Sequence, residues 1–154
     1  MFNEEDMKTY GYDIVMRPLV DYIKELETNG VNIDSDVFNG TVRVSIAKVS
    51  GDNLGVNGIC GFVESFVGNY YCRHCKMHSN HMWYSSTERP ECLRTQEDYE
   101  VDVAVNDPSI TGVKSPCLLN DISNFHVTKN FSPDIMHDLL EGIFGLEVHL
   151  VLAT

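Results

Sequence analysis

The stretch from Thr41 to Ser50, TVRVSIAKVS, alternates apolar and polar residues with period two and runs directly into Gly51-Asp52-Asn53-Leu54-Gly55. β-Branched alternation of this kind predicts a strand with one face on a core. Downstream, Ile59, Phe62, Val63 and Phe66 recur at helical spacing within 54–67. The segment therefore reads as strand, turn and helix, with Asp52 at the carboxyl end of the strand. In open α/β sheets ligands gather at that edge, which makes Asp52 a candidate metal-binding carboxylate. Asp is also a favoured N-cap, so the same residue is equally suited to starting the helix that follows.

Upstream, Ile14, Val15, Leu19, Tyr22, Ile23 and Leu26 fall at three- and four-residue steps. They predict one amphipathic helix from Asp6 to about Glu27, with Pro18 either kinking it or opening its second half. Thr28-Asn29-Gly30 supplies a C-terminal stop, and a polar linker follows. LRTQEDYEVDVAV, from Leu93, predicts a short acidic helix, and NDPSITGVKSP, from Asn106, reads as turns. The last helix is expected from Ser132 as N-cap and Pro133 in first position, with Ile135, Leu139, Leu140, Ile143, Leu146 and Leu150 behind them.

A chain of 154 residues, 43% apolar, buries one core, so a single domain over 1–154 is expected, with 68–131 set apart as an insertion rich in His and aromatics. Within it, Cys72-Arg73-His74-Cys75 is half of a tetrahedral zinc site, because sulfurs at this spacing turn toward one ion. The other half stays open between His78 and His81 nearby and His126 and His137 far along the chain. A redox pair is the rival for the two cysteines. Cys60 falls on an apolar helix face, and Cys92 and Cys117 have no partner at ligand spacing. Five cysteines, an odd number, argue against a secreted disulfide frame. His137 precedes Glu141 by one helical step, so the pair could hold a metal or act as acid and base, though a helical His is more often a packing residue.

A net charge of −12 disfavours a phosphate-tracking surface and suits a basic protein partner. The opening residues are acidic and no run of eighteen apolar residues exists, so the expectation is an intracellular protein, nuclear or cytoplasmic, not secreted and not in a membrane.

The order GDNLGVNGICGFVESF, YYCRHCKMH, ECLRTQEDYE and NFHVTKNFSPDIMHDLLEGI resembles transposon-derived proteins of invertebrates related to the CACTA-like (En/Spm) cut-and-paste transposases, over nearly all of 7–145. The resemblance implies a partial RNase H-like α/β fold with a zinc-stapled insertion and a D-D-E triad for Mg²⁺ or Mn²⁺. It implies Asp52 as the second acid, and Cys72, Cys75 and His137 as structural zinc ligands, with His126 the weaker fourth. Neither the first acid nor the final glutamate has a match, since Glu141 follows His137 too closely to be the latter. The expectation is therefore a truncated core, inactive alone, whose complete parent cleaves DNA and transfers strands. The alternative is a zinc-held acidic protein-interaction module.

Overall fold

A computed structural model of the chain describes residues 4–82 and 84–152. The class is mixed α/β. Helix α1 (Glu4–Thr28) leads into strands β1 (Val31–Asp34) and β2 (Asn39–Val42). Helices α2 (Asn53–Ile59), α3 (Ser79–Met82), α4 (Gln96–Val105) and α5 (Pro108–Thr111) follow, then a π-helical run, Ile135–Ile143, continued by α6 (Phe144–Leu152).

The first helix forms where its apolar periodicity places it, but its break is at Gly11 and not at Pro18. Gly11 takes φ 80°, a conformation glycine adopts without a Cβ penalty, whereas Pro18 sits inside regular helix. The stop at Thr28-Asn29-Gly30 forms as expected: the Asn29 and Gly30 N–H groups close onto the Glu25 and Leu26 carbonyls, and Gly30 turns with φ 69°.

The expected strand over 41–50 is the main correction. Only its first two residues pair, as the end of β2, which lies antiparallel to β1 in the register Val31↔Val42 through Asp34↔Asn39. The supposed polar linker thus supplies the hairpin partner, helped by Thr41 Oγ1 donating to Asn32 Oδ1 at 2.7 Å and Asn39 to Asp34 at 2.8 Å. Past Val42 the backbone finds other partners. The Val44 N–H donates to the Leu26 carbonyl, and the Asn130 amide donates to the Ala47 carbonyl at 2.7 Å. Among the described residues the hairpin is the one ladder; Val49↔Phe131, Phe62↔Val113 and Cys75↔Leu93 are isolated bridges.

The helix expected across 54–67 ends at Ile59. Gly61 turns with φ 75°, and Phe62 leaves the helix to bridge Val113, where it is 1% exposed. The remaining core comes largely from the stretch expected to be an insertion: Tyr99, Val113, Leu118, Ile122, Phe125 and Val127 pack with Val20, Val56 and Cys60. Residues 68–131 therefore share one core with the flanking segments. The turn-rich segment from Asn106 contains a one-turn helix capped by Asp107, which buries Thr111 and Val113. The acidic helix forms as α4, started by a capping box in which Thr95 and Asp98 bond each other's backbone. The last helix begins at Ile135, not after Ser132. Asp134 accepts from the Met136 N–H at 3.0 Å, while the Ser132 N–H is spent on the Val49 carbonyl. The side chains of Leu139, Ile143 and Leu146 lie outside the described residues.

Candidate functional site

Two features carry the candidate chemistry: an isolated bridge followed by carboxylates, and a turn bearing thiols; because the strand stops at Val42, Asp52 does not stand at the end of a sheet strand as expected. That bridge is the parallel pair Val49↔Phe131, where Val49 N–H donates to the Asn130 carbonyl at 2.8 Å and Ser132 N–H to the Val49 carbonyl at 3.0 Å. The two segments run in the same direction, and Asp52 and Asp134 each follow the bridge by three residues, both within electrostatic reach of His137. Each also starts a helix. Asp52 Oδ1 accepts from Gly55 N–H at 2.6 Å, so the capping role open to it from the sequence is realised, at an exposed position. Asp134 Oδ1 accepts from the Met136 N–H, and its Oδ2 lies 2.6 Å from His137 Nδ1.

His137 is thereby drawn to the carboxylates. Its hydrogen bond to Asp134 comes first among the causes that raise its pKa, with the charges of Asp134, Glu141 and Asp52 adding in the same direction against some desolvation. Asp134 is held below the usual Asp range, mainly by that same hydrogen bond. The imidazolium–carboxylate pair is complete above the ordinary Asp value of 3.8 and below a point lying above the ordinary His value of 6.5. Its stabilisation is lost as pH falls through the Asp134 pKa or rises through that of His137. A proton NMR titration of the ring is expected to place the His137 midpoint above 6.5, to bring it back toward 6.5 in Asp134→Asn, and to move it less in Asp52→Asn. A midpoint at or below 6.5 in the unaltered chain would contradict this geometry.

At the thiol turn, the Cys75 thiol and the Cys75 and His74 backbone N–H groups favour a thiolate at Cys72. The Cys75 hydrogen bond leads in lowering Cys72 to about 6, with the Arg94 cation helping; Cys75 is pushed up, chiefly by the same bond seen from its side. N–H donors wrapped around a sulfur stabilise thiolate, the form that ligates metal. The turn is tied down by the Cys75↔Leu93 bridge, the Lys76 N–H on the Cys92 carbonyl, and an ion pair between Lys76 and Asp98 of the α4 capping box. Behind it, Arg94 has a fully buried side chain. It pairs with Asp102, donates to the Cys72 and Thr111 carbonyls, and lies 5.6 Å from the Phe62 ring centre.

The donor chemistry fits two zinc ligands and stops there. His137 is at the carboxylate edge. His126 is a packing residue, its Nδ1 2.8 Å from Thr128 Oγ1 and its ring edge-on to Tyr99, and burial lowers its pKa. His78 packs edge-on to Tyr70 and faces His81 at 6.3 Å. Among the described residues no three His, Cys, Asp or Glu side chains gather into a metal-holding group. The expected convergence of Cys72 and Cys75 with His137 or His126 is therefore not seen, because both imidazoles have nearer partners.

Sequence spacing missed two further groups. Cys60 and Cys117, far apart in the chain, are both buried in the core, where each shifts the other's thiol, Cys60 upward and Cys117 downward. Asp134 draws no attention in the sequence, although it caps the last helix and pairs with His137. No helix among the described residues is long and apolar enough to cross a membrane. Comparison with known protein families, curated proteins and solved structures gives no match for this chain.

Proposed function

We propose that the chain is a DNA transposase-like catalytic core of the CACTA-like (En/Spm) kind, RNase H-like in plan, which does not cut DNA alone. The observation that supports this most is that the one acid the resemblance assigns, Asp52, and a second acid, Asp134, each follow the parallel Val49↔Phe131 bridge by three residues and both act on His137. Carboxylates aligned at one edge are what a divalent ion needs, and such an ion supplies phosphodiester polarisation and water activation when bound. In this chain Asp52 and Asp134 would hold Mg²⁺ or Mn²⁺. His137 competes with the ion for Asp134, and so resists cation binding more strongly while it is protonated. Two acids without a match to the family's first acid do not complete a two-ion centre, which is the reason for assigning no cutting activity.

Cys72 and Cys75 would hold a structural zinc in concert with ligands other than His126 and His137. A nuclear location, with DNA engaged as part of a complete parent enzyme, follows from this reading. A second reading, an acidic zinc-held module for a basic protein partner, draws on the −12 charge and on Val37, 94% exposed at the hairpin tip beside Phe38.

One set of measurements tests both. Purified protein is expected to carry about one zinc per chain, lost in Cys72→Ser, and to bind Mn²⁺ in a way weakened by Asp52→Asn and by Asp134→Asn. Incubation with plasmid and Mn²⁺ should leave the DNA intact. Zinc below half an equivalent removes the knuckle, Mn²⁺ binding indifferent to both acids favours the second reading, and Asp52-dependent cutting overturns the inactivity.

A further inference from the structure

We propose that the cavity at the break in α1 binds a planar ring carrying a lactam edge, an N–H beside a C=O, as uracil, thymine and hypoxanthine do. The cavity measures about 740 Å³, within the range of small-molecule sites. Residues 10–14 border it without a gap, together with Met7 and Lys8. A regular helix turns successive residues round its circumference, so the break at Gly11, with φ 80°, accounts for their facing one hollow. Leu54 and Gly58 of α2, with Glu64, Lys114 and Ser115, complete the lining. None of these residues has a part in the metal chemistry proposed above.

Two features of the lining choose the ligand. Tyr10 and Tyr12 offer aromatic surface and Ile14 and Leu54 apolar surface, and Tyr10, Ile14 and Leu54 are each more than half exposed. Flat rings stack on such surfaces. Lys114 Nζ donates to Glu64 Oε2 at 2.8 Å, so a donor and an acceptor stand side by side in a partly exposed ion pair. That bond engages one of three ammonium hydrogens and one of about four carboxylate lone pairs, so a ligand can be held without breaking it. A lactam matches the pair: its N–H donates to the carboxylate and its C=O accepts from the ammonium, both on one edge of the ring. A trans peptide holds the same two groups on opposite sides and cannot reach both. Charge points the same way, since Lys8 and Lys114 balance Asp13 and Glu64 and the lining selects a neutral compound. Gly58 keeps the arrangement open, because a Cβ there would overlap Glu64 Oε1 and Tyr12 Oη. Desolvation first, and then the Glu64 charge, raises the Tyr12 pKa, so its hydroxyl keeps its proton.

Chemical-shift titration of the whole chain with uridine, inosine, cytidine and adenosine tests the assignment, since the first two carry the lactam edge and the last two replace it with an amino group beside a bare ring nitrogen. Uridine and inosine are expected to bind with dissociation constants below about 1 mM, and cytidine and adenosine at least about tenfold more weakly. Glu64→Ala removes the acceptor and should bring uridine to within about twofold of cytidine. Gly58→Ala should do the same by displacing both oxygens, at a helical position whose φ alanine tolerates. Tyr10→Ala should weaken uridine by about tenfold, and Tyr10→Phe should restore it. A thymidine oligonucleotide tells a free nucleoside from a base in a strand: the −12 charge predicts that it binds no tighter than uridine, and a gain of more than about tenfold assigns the same edge to a single strand. Equal binding of uridine and cytidine by the unaltered chain, a uridine preference that survives Glu64→Ala, or no uridine binding up to about 10 mM overturns the proposal.

Discussion

Replacing Asp102 by alanine is expected to cost about 3–5 kcal/mol of stability, because it strands a fully buried guanidinium. Arg94 has no exposed side-chain surface and Asp102 little, and Asp102 is the one carboxylate that the described residues bring to it. Burial already works against this pair from both sides, lowering the Arg94 pKa and raising that of Asp102. A domain of this size has roughly 5–15 kcal/mol in all, so the single variant should unfold well below the unaltered chain in urea. The Arg94→Met, Asp102→Leu double variant should recover part of the loss, since it removes the stranded charge but leaves the Cys72 and Thr111 carbonyls without the Arg94 donor. An Asp102→Ala protein within about 1 kcal/mol of the parent would show that the pair contributes as little as a surface salt bridge.

Gly61→Ala is expected to destabilise by about 3 kcal/mol or more. Gly61 has φ 75°, where an alanine is strained whatever space surrounds it, and a Cβ placed there would overlap the Ser115 carbonyl oxygen. The approach cannot be relaxed cheaply. The Lys114 and Ser115 N–H groups both donate to the Gly61 carbonyl, locking the two backbones together beside the Phe62↔Val113 bridge. By contrast, Gly11→Ala meets no neighbouring atom within 4 Å and should lose only what its positive φ imposes. Thermal unfolding of the two variants side by side separates the collision from the strain.

The sequence makes the helices legible where their signals are local. The apolar steps of α1, the acidic run that becomes α4 and the turn at Gly30 are each set by neighbours in the chain, and each forms. What depends on distant partners is not legible. Residues 43–48 alternate like a strand yet find a helix end and an asparagine amide in place of a ladder, and the Phe62 ring leaves its helical spacing for a slot beside Tyr99 and Val113. The candidate site divides in the same way. Cys72-x-x-Cys75 is visible from spacing alone, and Asp52 from its place between glycines. The company of Asp52 is not visible, because His137 and Asp134 are brought into its reach only by a bridge closed across most of the chain. His137 is expected beside the thiols and instead finds a carboxylate three residues away, the nearest group able to satisfy it.

The same bridge governs how the molecule assembles. The Asn130 amide and the Ala47 carbonyl it seals are 83 residues apart, and closing a loop that long costs about 4 kcal/mol of chain entropy before any contact offsets it. Capping boxes and one-turn helices form early at little such cost, and the packing around Tyr99 and Ile122 follows. The bridge that precedes Asp52 and Asp134 is favoured only once that core has shortened the path between its two segments. Any cation held by both would therefore bind the finished protein and not its precursors, and would act as a brake on unfolding.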